Sequence, residues 1–249
     1  LQSRDASQNK SANQDRTMLA DAFEALKKFD WGTDISVLSP IDDAAVAAHG
    51  DPAVAQDLEN RLLAALKEQL SRDAHDYVCR KLTIVGTAAS VPALADQLGS
   101  KEQSHMARYA LERINVPEAG AALRDALGKV HGSQKIGVIT SLGSRRDGAA
   151  VAPLGKLLQT DDPAVARASA LAVGTIGTVE AAAVLQAALP SANGDKQVVI
   201  DGLLACAEAL LATDKHGEAK AIYQSLSGEQ QPRLIRLAAT RGLLACARG

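Results

Sequence analysis

Residues 162–189 read DPAVARASALAVGTIGTVEAAAVLQAAL, and the parsing of this stretch decides the fold. Asp162 followed by Pro163 is a helix start: a short polar side chain to satisfy open backbone N–H groups, then a ring that presets φ for the first helical position. An aliphatic run follows and is interrupted at Gly177–Thr178. Glycine supplies the left-handed residue that ends one helix, and a threonine hydroxyl caps the next. The second run closes on Leu185 and Leu189, four residues apart and therefore on one helical face. The stretch is two apolar helices joined by a tight turn.

Working outward, the same unit recurs. VPALADQL (91–98), GAALRDAL (120–127), VAPLGKLL (151–158), AAVLQAAL (182–189) and AKAIYQSL (219–226) fall into one register. A first column reads Leu94, Leu123, Leu154, Leu185 and Ile222, with steps of 29, 31, 31 and 37 residues. A second column, four residues on, reads Leu98, Leu127, Leu158, Leu189 and Leu226. Twelve residues upstream of the first column stand Leu82, Leu111, Val173 and Leu210. In the third unit the distance is fifteen, to Ile139, because SRRD (144–147) lengthens the turn. Gly86–Thr87 and Gly143–Ser144 read as turns like that at Gly177–Thr178. The hexapeptide GLLACA occurs at 202–207 and again at 242–247, in equivalent places of the first helices of two successive units. Self-similarity at a fixed period of this length marks a repeat architecture, in which stacked neighbours bury a continuous core.

The register divides the chain. Residues 1–15, mostly polar, read as a disordered arm, and residues 16–72 as an N-terminal helical cap. In the cap, Val54, Leu58, Leu62, Leu66 and Leu70 recur at i+4 along one long helix. Residues 73–249 read as five helix pairs, at 74–99, 102–128, 132–159, 162–190 and 196–227, followed by a lone helix from 232. That helix is the first of a sixth pair and brings Leu234, Leu237, Leu243 and Leu244 with it. Since a terminal repeat needs a polar outer face, the expectation is that further chain or another subunit covers this end.

Composition agrees with helix pairs. Hydrophobic residues make up 47% of the 249, yet the aromatics are only Phe23, Phe29, Trp31, Tyr77, Tyr109 and Tyr223. A core filled by Leu, Val, Ile and Ala suits close-packed helices better than a β-sandwich. The net charge of −2, from 27 basic and 29 acidic residues, creates no field that seeks polyanions. Cys79, Cys206 and Cys246 lie in apolar helical runs without metal-ligand spacing and read as small buried hydrophobes. No stretch nears the ~18 consecutive apolar residues of a membrane span.

Units of this length built from two helices, with residues 162–189 as the clearest copy, resemble HEAT repeats over roughly 74–249. The short bacterial type, including the HEAT-like repeats of phycobilin lyases, is the most similar. DYVCRKL, SHMARYALERI, GVITSLGSRRD and GLLACAEALLATDKHGEAKAIYQSL are similar to stretches of bacterial HEAT-repeat proteins, which are often exported. The resemblance implies an all-α fold, a right-handed α-solenoid of HEAT-type helical pairs with an N-terminal helical cap. It implies a non-catalytic protein-interaction module or scaffold and carries over no catalytic residue. A lyase- or chaperone-like factor acting on a bound prosthetic group is the first alternative, and a structural spacer the second. The expected compartment is exported rather than cytoplasmic, on resemblance alone.

Two residues beyond the first column the second helices carry Asp96, Asp125, Lys156, Ala187 and Gln224, so no basic ladder for nucleic acid forms. His75, His105 and His131 open the first helices of three consecutive units. Helices pack ~8–10 Å apart, too far for side chains of adjacent repeats to converge at ~2 Å on one zinc, so these read as solvated or capping histidines. GSRRDG (143–148) has the glycine spacing of a phosphate loop, but Ala149 and Ala150 stand where Lys and Ser/Thr are required. The paired Asp42/Asp43 and Asp161/Asp162 sit at helix starts, where capping explains them. Catalytic, cofactor and metal residues are accordingly none. Two stretches remain as partner contacts: Arg108, Tyr109 and Glu112 in SHMARYALE, and Arg145, Arg146 and Asp147 in the lengthened turn.

Overall fold

A computed structural model of the protein describes residues 2–191 and 196–247, with side chains from Gln14 onward and Ser191 excepted. Among these residues the regular structure is helical, with no strand. The chain forms two compact units, 1–122 and 123–249. The division lies within a repeat, and the cap boundary expected at 72/73 lies inside the first unit.

The first unit holds α1 (Gln2–Leu26), α2 (Ser39–Ala47), α3 (Pro52–Ala65), α4 (Arg72–Val85), α5 (Val91–Ala95) and α6 (Ser104–Arg113), with α7 (Pro117–Ala126) at its end. The backbone of α1 is helical from Gln2, where the sequence reading expects an arm over 1–15; Leu1 lies outside the described residues. No glycine or proline interrupts the sequence up to Leu26, so the hydrogen-bond ladder extends without a break. The long helix of the cap is also shorter than expected: α3 ends at Ala65, and Leu66 and Leu70 are half-buried beyond it.

Buried polar contacts tie the cap to the first repeat. Glu59 of α3 accepts hydrogen bonds from the Thr87 N–H (2.7 Å), the Thr87 hydroxyl (3.0 Å) and the Ser90 hydroxyl. Such bonds compensate a carboxylate that is almost wholly buried. Ser71 caps α4 through the Ala74 N–H (3.1 Å) while its hydroxyl donates to the Phe29 carbonyl (2.6 Å). Asp42, expected as a capping residue, instead pairs with Lys81 and accepts from the Tyr77 hydroxyl at 2.8 Å. Burial, then the bond to Asp42, pushes the Tyr77 pKa upward.

The second unit continues with α8 (Gly132–Ser144), α9 (Val151–Leu157), α10 (Pro163–Ile176), α11 (Val179–Ala188), α12 (Lys196–Leu211), α13 (His216–Leu226) and α14 (Arg233–Cys246). First helices lie against first helices: α8 on α10, and α10 on α12. Second helices pack beside them, α9 on α11 and α13 on α12. This consecutive packing is that of an α-solenoid. Glycine permits the closest approaches. A Cβ on Gly174 would fall 2.7 Å from the Gly202 Cα, and one on Gly143 would fall 2.9 Å from the Ala172 Cα.

The periodic columns form the core. Leu94, Leu123, Leu154, Leu185 and Ile222 are buried, as are the upstream Leu82, Leu111, Ile139, Val173 and Leu210. Each fully buried aliphatic side chain contributes about 1.5–3 kcal/mol. In the second column Leu98, Leu127 and Leu226 are buried, whereas Leu158 and Leu189, at the C-caps of α9 and α11, are half-buried. Asp162 caps α10 through the Ala164 and Val165 N–H groups, and Thr178 caps α11 through the Ala181 N–H. Gly177 takes the left-handed conformation, φ 68°. Gly86 and Gly143 do not play that part. Gly86 is extended (φ −64°, ψ 134°), and Gly143 lies inside α8, where it admits Ala172. The left-handed residue in the lengthened turn is Arg146, φ 51°.

Candidate functional site

Helix α14 is the last described element, and it is amphipathic in an unusual sense. It packs on α13 and α12 through Ile235, Ala239 and Gly242, all buried. Gly242 lies so close to Tyr223 that a Cβ would meet its ring at 2.3 Å. At 100° per residue, Leu234, Leu237 and Leu244 fall together on the opposite side of the helix. They are 78%, 52% and 58% exposed. Exposed Arg233 and Arg241 border them, and α14 carries no acidic residue. Exposed leucines grouped on one side of a helix mark an interaction surface more often than isolated surface leucines do.

The thiols divide in the same way. Cys79 and Cys206 are fully buried, and burial pushes each thiol up to about 12. The Cys206 Sγ lies 3.7 Å from the Gly174 carbonyl oxygen. Cys246, expected to be buried, is half-buried because α14 is covered on one side only.

His75 is neither solvated nor a cap, which corrects the sequence reading. It is buried, with Nε2 2.9 Å from Gln97 Oε1 and 3.7 Å from the Cys79 Sγ. The signal was present: His75, Cys79 and Leu82 stand at i, i+4 and i+7, the apolar stripe of α4. The pair is no nucleophile–base couple, because a thiol with a pKa of about 12 and no exposure stays protonated and out of reach. His105 and His131 are exposed, so the three histidines do not share one environment. Among the described residues no group of three or more His, Cys, Asp or Glu side chains is placed to hold a metal ion.

The two expected contact stretches fall in different units. In the first unit Arg108, Tyr109 and Glu112 are half-buried on α6, and burial pushes the Arg108 pKa down against the opposing effect of Glu112. The neighbour missed by the sequence reading is Arg113. Its guanidinium lies 3.6 Å from the Tyr109 ring centroid and donates to the Tyr109 carbonyl at 3.1 Å. In the second unit Asp147 is held by Arg124 and caps the following turn through the Ala149 N–H, so it shapes the loop. Arg145 is half-buried, and Arg146 is the exposed member of the three. Between α8 and α10 runs an open groove of about 410 Å³ lined by Ile136, Thr140, Gly143, Arg167 and Leu171 among others. In the first unit Trp31, 90% exposed, stands on the turn between α1 and α2, a feature the sequence reading passed over. Its backbone N–H donates to Asp30 Oδ1 at 2.8 Å. Among the described residues no helix is long and apolar enough to cross a membrane.

Comparison with known proteins adds the following. Residues 130–203 match the family model described as HEAT repeats. The solved archaeal HEAT-like repeats protein from Thermococcus onnurineus NA1 is similar at 17% identity and a TM-score of 0.40, over 93% of this chain and 92% of that one. Human deoxyhypusine hydroxylase, solved in complex with glycerol, is similar at 15% identity and a TM-score of 0.35, over 96% of this chain and 99% of that one. No curated protein matches the sequence.

Proposed function

From the match of residues 130–203 to the HEAT-repeat model and the solenoid packing of the helices, we propose that the chain works as a non-catalytic interaction module or scaffold whose partner is a protein. Repeat arrays of this kind present extended surfaces and commonly use them for binding. The observation that carries the reading is the exposed leucine stripe of α14, Leu234, Leu237 and Leu244, on an array whose repeat columns are otherwise largely buried. A purely structural spacer has no use for such a stripe. The alternative of a lyase- or chaperone-like factor gains nothing from the α8–α10 groove, whose lining includes Arg167 but no acidic or aromatic side chain. Tyr109 on α6, with Arg108 and Glu112 beside it, and Arg146 with Arg145 are proposed as secondary contacts. Asp147 supports that turn through Arg124.

The test is affinity capture from cells of the native organism with cross-linking and mass spectrometry, using the whole chain. The expected result is a protein that is enriched over a control and cross-links to the second unit. A capture indistinguishable from the control contradicts the reading.

A further inference from the structure

Resting on that interaction reading, we infer that Trp31 is a second contact, an anchor that inserts into an apolar site with a basic rim on the partner protein. Its exposure does not come from a chain end. The turn between α1 and α2 is fixed in the core on both sides, by the buried Phe29 and Leu38. Between them residues 30–37 are all exposed, with Trp31 at 90%, Ile35 at 61% and Val37 at 40%. The backbone holds the indole outward. The Thr33 N–H donates to the Asp30 carbonyl at 3.0 Å and closes a four-residue turn with Trp31 at its second position. Gly32, at φ 82°, takes the left-handed third position of a type II turn. The Asp30 N–H donates to the Thr33 hydroxyl at 3.2 Å and the Trp31 backbone N–H to Asp30 Oδ1, so the loop is braced without the indole. A side chain this exposed adds little to folding, and a type II turn favours proline at that position, not tryptophan. Tryptophan is enriched among binding anchors, and a preorganised loop lowers the entropy cost of seating one.

Charge selects the kind of partner. The turn 30–37 carries two charged residues, Asp30 and Asp34, both exposed. Ser36 donates to Asp34 through its N–H (2.9 Å) and its hydroxyl (2.7 Å), which holds that carboxyl below the usual carboxylate range and so ionised at neutral pH. The acidic character extends along the chain: residues 29–60 contain seven Asp and Glu and no Lys or Arg, in a protein of net charge −2. Of these, Asp42 and Asp57 are paired with Lys81 and Arg61 and Glu59 is buried, whereas Asp30, Asp34 and Asp43 are exposed. The opposing charges next in the chain are Lys27, bound to Glu24 at 2.7 Å, and Lys28. An anionic lipid surface or a nucleic acid therefore meets like charge at the turn. An apolar protein site rimmed by lysine or arginine meets opposite charge.

Trp31 is the one tryptophan of the chain, so tryptophan emission reports on this turn alone. The probe is a designed amphipathic peptide without tryptophan, leucine on one face and lysine on the other, paired with a twin carrying glutamate for each lysine. Titrated into the whole chain, the lysine peptide is expected to shift Trp31 emission to the blue. It should bind at least about tenfold tighter than its twin, with the difference shrinking as salt rises. Trp31→Ala, at an exposed position, should leave the melting curve in place and weaken binding of the labelled lysine peptide about tenfold or more by anisotropy. Asp30→Asn combined with Asp34→Asn keeps the acceptor oxygens, removes the charge and should narrow the preference between the peptides. Equal binding of the two peptides, an emission that stays put, or no effect of Trp31→Ala overturns the inference. A blue shift on phosphatidylcholine vesicles, with or without phosphatidylserine, also overturns it, since it assigns the turn to a lipid surface. A concentration-dependent dimer abolished by Trp31→Ala does the same by assigning the turn to a second copy. If Trp31→Ala and the unaltered chain capture the same partner equally, the Trp31 site falls and the interaction module stands. If neither captures a partner, the underlying reading falls.

Discussion

The chain contains the same six residues twice, and they live differently. In α12 the segment GLLACA is enclosed by four helices, its glycine pressed on the Ala170 carbonyl and its thiol against the backbone of α10. In α14 the glycine meets the Tyr223 ring, the thiol is half-buried, and Leu244 faces solvent. Identical local propensity produces the same helix in both places. The burial of each side chain is set by the neighbours that the array supplies. The hexapeptide thus separates what a repeat encodes, a helix with an apolar stripe, from what stacking adds, which is enclosure.

Substitutions at matched positions sharpen that contrast. The largest effect is expected for Leu203→Ala, about 2–5 kcal/mol, the range for emptying a closed leucine site, with Leu154→Ala in the same range. Leu243→Ala, the same residue in the open copy, should cost only about 1 kcal/mol, since a half-buried site relaxes and refills with water. Equal losses in reversible denaturation at 203 and 243 would break the comparison. Next comes Gly202→Ala. Its new methyl would sit 2.9 Å from the Ala170 carbonyl oxygen and 3.1 Å from Leu185, and backbone cannot step aside. The overpacking cost of about 1–3 kcal/mol should exceed the gain of about 1 kcal/mol from replacing a helical glycine. Gly242→Ala should cost as much or more, because its methyl would fall 2.3 Å from the ring of Tyr223, which is itself buried. The smallest effect belongs to Arg146→Ala, expected within about 0.5 kcal/mol for an exposed position. A drop in partner capture at an unchanged melting curve would place Arg146 in the contact surface, and unchanged capture would remove it.

The architecture was legible because it is periodic. Leucine columns, Asp–Pro starts and Gly–Thr turns are local signals, and the buried columns and the caps of α10 and α11 follow them. Roles set by distant neighbours were not legible. Gly86 and Gly143 carry the same letter as Gly177, but one clears Leu82 and Ile114 and the other admits Ala172, and no local pattern distinguishes these from a left-handed turn. Asp147 reads as a contact residue until Arg124, more than twenty positions away, is seen to hold it. Asp42 likewise finds its partners on α4. Of the candidate site, the α14 leucines were readable from the unpaired register. Their placement opposite the buried face, and the arginines along their rim, needed the packed helix.

The central claim is that α14 presents an open face where α12 presents a closed one, and the two equivalent cysteines report on it directly. A soluble disulfide reagent applied to the native chain at neutral pH should modify Cys246 and leave Cys206 and Cys79 untouched until denaturant is added. Burial both blocks access to those two thiols and keeps them protonated, with pKa values pushed up to about 12. Peptide mapping of the modified protein identifies the labelled residue. Label confined to Cys246 is the result the account predicts; a Cys246 as inert as Cys206, or a Cys206 as reactive as Cys246, would contradict it.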